Sequence, residues 1–488
     1  MKIFLPIYDR VNRVGRCFAL WGAMAVLAGN ALGEEAGQKS VQKANGKSNI
    51  PMVSSSSSKP AWLTELSLGI KESYDSNVYL AGADQQYMPA GTTTLKNISS
   101  WVTTISPRIG FNFAPLFGDQ KVIQALTFAY TPDFAIYTNQ TSETNEAHRF
   151  STALKGKAGD FSFSLENGFT FIDGSKEAPV YPGNYLSAYG PPAPRERRYQ
   201  EQNRSKIVFQ YDYGKWFARP VATLLLYNMG TYLKNPALSS TPSGYQNFED
   251  RTDVNGGLDI GYKVLPDVAA TVGYRYGYQY QQQFSWNHIS SSNNYQRVLF
   301  GGEGKLWKWF KFQLQMGPDF RTYQANTSSH TTPVKDLNPA VFYGEANLSA
   351  EITRNDTLSF QFKQWRWLSS CGKVPYQDSL YDLNYTRKVN GKLSFTLQAR
   401  AMDSNYTSAT GASGLRDDWM VTVAPGLHYA FNAHFSADLV YSANWGINGY
   451  NNLPASQIPA SKREFFENLV SIGAVSYTHL TLPTIYSV

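Results

Sequence analysis

The chain has 488 residues, of which 15% are aromatic and only 17% charged, with a mean hydropathy of -0.37 and a net charge of +7. So few charges beside so many aromatics argue against an ordinary cytoplasmic enzyme. They suit a barrel that is apolar outside and polar inside, or a secreted β-helix or β-propeller. The two cysteines, Cys17 and Cys371, exclude a disulfide framework and a cysteine-rich zinc site. Much of the basic excess sits in residues 1–60, so the charge makes no case for nucleic-acid binding.

Residues 1–33 read as a secretory signal. Lys2, Arg10, Arg13 and Arg16 precede an apolar run from Cys17 to Leu27, and Ala31-Leu32-Gly33 supplies small residues at the cleavage positions. The apolar run is well short of the ~20 residues that a spanning helix needs. Residues 34–61 are polar and end in serines Ser54 to Ser58, the composition of a flexible linker.

From Trp62 onward, segments of about ten residues or more alternate apolar and polar side chains, as strands with one greasy and one wet face must. Phe161, Phe163 and Leu165 alternate with Ser162, Ser164 and Glu166. Val272, Tyr274 and Tyr276 alternate with Gly273, Arg275 and Gly277, Phe312 and Leu314 with Gln313 and Gln315, and Phe395 and Leu397 with Thr396 and Gln398. These ten apolar residues are the expected lipid-facing set. Connections also alternate in length. Short turns at 117–119, 158–160, 214–215, 265–267, 307–308, 354–356, 390–391 and 432–433 are separated by longer polar loops such as 80–98, 174–197, 234–247, 326–338, 407–416 and 450–461. Short turns at one end and long loops at the other are the pattern of an outer-membrane barrel, which a soluble sandwich has no reason to follow. The expected fold is therefore all-β, a single antiparallel transmembrane β-barrel over residues 62–474 with about 18 strands, about 16 or 20 being the neighbouring even counts. Most tryptophans, including Trp101, Trp216, Trp307, Trp365, Trp367 and Trp445, fall near strand ends, as interfacial girdles would.

The first strand ends in Glu72-Ser73-Tyr74-Asp75-Ser76-Asn77-Val78-Tyr79. This stretch resembles the opening motif of the β-barrel porin 2 family, with Ser76 where an acidic residue is commoner. The resemblance implies an outer-membrane barrel of porin type, similar to proteins encoded beside exopolysaccharide and exosortase systems. It carries no catalytic residues.

Strand parity nominates the inward, pore-lining charges. They are Lys71, Arg108, Lys155, Glu166, Arg204, Lys206, Asp259, Arg275, Lys311, Asp319, Arg321, Glu345, Lys363, Arg400 and Asp438. Mixed charges across a water-filled lumen can filter solutes, and a slight basic excess favours anions. The same charges can instead pair between neighbouring strands and brace the wall. The loop 174–197, with five prolines from Pro179 to Pro194, is the expected constriction. His148, His288, His330, His428 and His434 are scattered, with no nucleophile motif beside them, so no enzyme is expected. Asp75 and Asn77 alone are too few oxygens for calcium, and no metal or cofactor is expected.

The last expected strand is 465–474. Residues 475–488 resemble translated sequencing-adapter read-through and are expected to be non-native. These readings point to a passive channel for small hydrophilic solutes, placed in the outer membrane by the barrel-insertion machinery and surrounded by lipid and lipopolysaccharide. A structural or secretion-associated barrel of an exopolysaccharide system and a soluble secreted β-rich binding protein are the alternatives. The oligomeric state is left open.

Overall fold

The computed structural model describes residues 62–477 and Pro60, apart from residue 79 and segments 81–97, 118–121, 175–197, 231–249, 283–291, 325–339, 369–374, 407–414 and 452–463. The expected signal, the linker apart from Pro60, the constriction loop beyond Gly174, and Cys371 lie outside the described residues.

One antiparallel sheet of 19 strand segments makes up the described fold. In chain order these are β1 (Leu63–Asp75), β2 (Ser100–Asn112), β3 (Ile123–Tyr130), β4 (Asp133–Tyr137), β5 (Asn145–Ala158), β6 (Phe161–Gly174), β7 (Arg198–Tyr213), β8 (Trp216–Asn228), β9 (Arg251–Leu265) and β10 (Val268–Gln281). There follow β11 (Asn293–Leu306), β12 (Phe310–Tyr323), β13 (Ala340–Glu351), β14 (Asp356–Trp367), β15 (Tyr376–Lys388), β16 (Leu393–Tyr406), β17 (Leu415–Ala430), β18 (Phe435–Asn451) and β19 (Phe465–Tyr477). Apart from β3 and β4, each pairs with its sequence neighbours. Segments β3 and β4 both lie between β2 and β5, so they are two halves of one stave and the wall has 18 positions. β19 closes on β1 from Asp75↔Leu469 to Ser67↔Tyr477, which joins the sheet into a cylinder.

The expected barrel, its strand count and its alternation of turns and loops are all present. Strand β19 runs three residues further than expected. Val475, Ser476 and Tyr477 pair with Gly69, Leu68 and Ser67. Ladder bonds are made by the backbone, so a strand can continue through a segment of any non-proline sequence. Residues 478–488 lie outside the described residues.

The two faces are told apart by contacts. Only the inside of a cylinder can bring non-neighbouring strands together. Gln279 on β10 reaches the carbonyl of Arg366 on β14, so residues that share a face with Gln279 point inward. In β10 these are Thr271, Arg275, Gln279 and Gln281, all buried, while Val272, Tyr274, Tyr276 and Tyr280 face outward and are exposed. The outward rows carry a belt of exposed apolar side chains around the wall, including Ile70, Phe161, Leu258, Val272, Phe300, Leu439 and Ile472.

Prolines sit where the ladder lapses. Pairing skips beside Pro220 between β7 and β8, beside Pro318 between β11 and β12, and beside Pro425 between β17 and β18. A proline has no N–H to donate, so the neighbouring strand must do without that bond.

Candidate functional site: the charged lumen

The inner face divides into two sectors. From β7 to β14 it is filled with buried charge. Asp319, with no exposure at all, accepts from Arg297 Nε at 2.7 Å and from Arg321 Nη2 at 2.9 Å. Arg321 Nη1 donates to Gln279 Oε1 at 2.6 Å and to Asn293 Oδ1 at 3.1 Å. Asp253 accepts from the Tyr295 hydroxyl at 2.7 Å and from Gln279 Nε2 at 2.6 Å. Arg275 grips both oxygens of Asp259, at 2.7 and 2.9 Å. Arg219 bridges Glu303 at 2.9 Å and lies 3.7 Å from Asp259. Arg297 stacks over the rings of Tyr295 and Tyr343 at 4.2 and 4.3 Å. A guanidinium held this way keeps its charge, because carboxylates and ring faces replace the water it has lost.

Glycine makes this packing possible. A Cβ on Gly277 would collide with the Tyr295 ring, so that ring can lie flat on the wall only because position 277 has no side chain.

Charges from opposite staves also meet. Lys206 on β7 lies within electrostatic range of Glu345 on β13, Lys363 on β14, Arg219 on β8 and Arg275 on β10. Lys363 is 3.5 Å from Glu345, which also accepts from the Tyr343 hydroxyl at 2.9 Å. Cations from four staves therefore surround one stretch of the lumen, with Glu345, Asp259 and Glu303 between them. Arg204 donates to the Tyr227 hydroxyl at 2.7 Å.

From β15 through β19 and on to β6 the inner face is looser. Lys155 and Glu166 pair at 2.8 Å with side chains 52% and 44% exposed. Asp438 binds His428 at 2.7 Å. Asp382 accepts from Asn384 and Gln398, and Asn444 donates to Glu467. Arg149 pairs with Asp133, which also accepts from Ser106 at 2.5 Å. Lys71 is exposed opposite Thr104 and Gly473, and Arg108 lies opposite Ser67. Arg400 stands opposite Asp382 and Thr422, and Lys311 opposite Lys305 and Ser349.

The nominated charges thus fall into three groups. Lys206, Arg275, Asp259, Glu345 and Lys363 converge in one zone, Asp319 and Arg321 lock together beside it, and the others are spread around the wall. Sequence reasoning missed Arg219, Arg251, Asp253, Arg297, Glu303 and Arg366. Four of these were within reach, since Arg251 and Asp253 share parity with Asp259, Arg219 has the inward parity of Phe217 and Val221, and Arg297 has the parity of Asn293 and Tyr295.

Two tryptophans depart from the expected girdle. Trp367 is only 7% exposed and packs inside the barrel against Tyr227, with ring centroids 6.1 Å apart. Trp365 lies under Lys363 Nζ at 5.9 Å. The cause is local. β13 and β14 pair only up to Gly344↔Gln364, although β12–β13 pairing continues to Phe320↔Ala340 and β14–β15 pairing to Trp367↔Tyr376. The wall parts there, and the top of the β14–β15 hairpin leans into the lumen.

The motif at the end of β1 has a structural job. The Asn77 backbone N–H donates to Asp75 Oδ1 at 2.9 Å, and Asn77 Nδ2 donates to the Phe466 carbonyl at 3.0 Å. Ser76 N donates to the Asn468 carbonyl at 3.0 Å, and Asn468 N donates to Ser76 Oγ at 2.7 Å. Asp75, Ser76 and Asn77 staple the seam where the first strand meets the last. Among the described residues no cluster of three or more metal-type ligands occurs.

No family model and no curated protein matches the chain. Solved structures do. The vanillate-bound OpdK of Pseudomonas aeruginosa is 10% identical, with 85% of this chain and 98% of that one covered at a TM-score of 0.38. OccAB4 of Acinetobacter baumannii is 11% identical over 86% and 99%, at 0.36. The siderophore receptor PirA of Acinetobacter baumannii is 7% identical over 85% and 81%, at 0.39. The functional reading rests on the geometry of this chain.

Proposed function

We propose that the chain is an outer-membrane barrel that passes small hydrophilic solutes passively, and that its β7–β14 sector favours anions. The observation that carries this is the meeting of Lys206, Arg219, Arg275 and Lys363 from separate staves inside a closed cylinder whose outside is apolar. Backbone groups along the wall are bonded strand to strand apart from short lapses beside prolines and above Gln364, and such bonding is the condition for crossing lipid without a helix. The lumen then supplies the only wet path, and lysines set across it lower the barrier for an anion relative to a cation. The fifteen charges nominated from parity are its lining, and Phe161, Val272, Tyr274, Tyr276 and their row neighbours meet lipid.

The test is conductance of the folded protein in planar bilayers under a salt gradient. An anion-selective reversal potential is expected, moving toward cation selectivity in the double variant Lys206→Gln, Lys363→Gln. A barrel that folds, by its altered gel mobility before boiling, yet carries no current would defeat the reading. The resemblance of residues 72–79 to the β-barrel porin 2 family supports the same assignment. It gives no support to a polysaccharide-assembly role, because Asp75, Ser76 and Asn77 are already engaged at the seam.

A further inference from the structure

The leaning hairpin is held by an unusual contact. Along one edge of a β-strand, alternate residues present their carbonyls to the same neighbour. Arg366 and Leu368 are two apart, so their carbonyls belong to the edge that β13 bonds lower down. Where β13 leaves that edge, side chains of distant staves take its place. Gln279 Nε2 and Arg321 Nη2 donate to the Arg366 carbonyl at 3.2 and 3.3 Å, and Arg251 Nη1 donates to the Leu368 carbonyl at 2.9 Å. Two guanidiniums and an amide thus face neutral carbonyl oxygens. A carboxylate offers the same acceptors with a full charge, and charge-assisted bonds of this kind are about twice as strong.

The docked position is balanced by opposing terms. Trp367 favours it, with Arg251 over its ring at 5.3 Å. Arg366 opposes it. Its side chain is 2% exposed, yet Nε and Nη2 have no hydrogen-bond partner, and burying such donors is costly. Continuing the β13–β14 register by two residues sets Arg366 opposite Phe342, which is 45% exposed on the outer face near the loop rim. There the guanidinium could reach water along its flexible stem. One packing satisfies the hairpin edge with side chains and strands Arg366. The other satisfies the edge with β13 and frees Arg366.

We propose that Arg251, Gln279 and Arg321 form a carboxylate-binding site that the hairpin edge occupies in the closed barrel. A small carboxylate solute displaces the edge, β14 re-pairs with β13, and the lumen widens. The binding site stands on its own geometry, and the consequence for passage rests on the channel reading.

The test uses the full chain with Cys17→Ser and Cys371→Ser, carrying Phe342→Cys and Arg366→Cys, folded in detergent and oxidised with benzoate or the neutral benzamide. Arg366→Cys leaves the docking carbonyl in place. Benzoate is expected to speed formation of the 342–366 disulfide on the order of 10-fold, and benzamide to leave it unchanged. Adding Arg321→Gln should give the fast rate without benzoate. Equal rates with the two probes would overturn the proposal. The unsubstituted protein in planar bilayers gives the second measurement, a rise in open probability with benzoate only. Benzoate-dependent crosslinking without any current keeps the binding site and defeats the channel, whereas current with indifferent crosslinking keeps the channel and defeats the site.

Discussion

The two sectors of the lumen wall use similar residue types to different ends. Between β7 and β14 the carboxylates are buried and shared. Asp319 serves two arginines, and Asp259 is gripped by Arg275 with Arg219 beside it. Between β15 and β6 ion pairs keep more water, as Lys155–Glu166 does with both side chains about half exposed, although the carboxylates Asp378, Asp418 and Glu467 are buried there too. The difference teaches that an inward charge is not automatically a channel charge. Whether it filters solutes depends on what its neighbours leave uncancelled, and in the zone around Lys206 four cations stand against the three carboxylates Glu345, Asp259 and Glu303. In the buried sector the network fixes side-chain positions, and in the open sector it leaves them free to follow an ion.

The largest expected effect lies in the buried sector. Asp319→Ala leaves Arg297 and Arg321 without their carboxylate at nearly zero exposure, which costs on the order of 3–5 kcal/mol. Glu166→Gln in the open sector removes an exposed pair and costs ~0–1 kcal/mol. Denaturant titration of the detergent-folded barrel, followed by heat-modifiable mobility, compares the two. Equal midpoints for both variants would erase the distinction between sectors.

A second pair needs no change of charge. Gly277 and Gly168 both face inward. A methyl at 277 meets the Tyr295 ring, whereas at 168 nothing lies within 4 Å. Gly277→Ala is expected to cost ~1–3 kcal/mol through displacement of Tyr295. Gly168→Ala should be neutral or slightly stabilising, because alanine loses less backbone freedom on folding. The same titration reads both, and a destabilising Gly168→Ala would mean that the open sector is packed after all.

Much of this molecule was legible because a β-strand has a period of two. Once Tyr274 and Tyr276 are set outward, Arg275 must face inward, and a ladder carries that choice to the neighbouring strand. The alternation of short turns with long loops gave closure and strand number for the same reason. Parity is silent on height and on what stands across the lumen. Lys206 and Glu345 are far apart in sequence and seven staves are involved from one to the other, so nothing local announces that they meet. Trp365 and Trp367 misled because a strand-end tryptophan usually marks an interface. Here β14 leaves β13 above Gln364, and the same parity that would line a wall instead turns both rings into the lumen. The seam motif was visible as a pattern, but its purpose depended on Phe466 and Asn468, which reach Ser76 and Asn77 only when the barrel closes.

The smallest expected effect concerns the turn between β11 and β12. Trp307 and Lys308 both hold positive φ, 52° and 59°. Gly159 and Gly214 fill the corresponding left-handed places in the turns after β5 and β7. A non-glycine residue in that conformation costs roughly 1–2 kcal/mol. The buried sector can carry this strain because the Arg297–Asp319 contact fixes the β11–β12 register several residues away. Part of the strain is offset by stacking of Trp307 on Trp309, at 5.8 Å between centroids. Replacing Trp307-Lys308 by Asn-Gly, residues that adopt positive φ with little cost, should therefore raise stability by only about 1 kcal/mol. In an Asp319→Ala background the gain should be larger, since the turn must then hold the register alone. Equal gains in the two backgrounds would show that the buried network does not brace this hairpin.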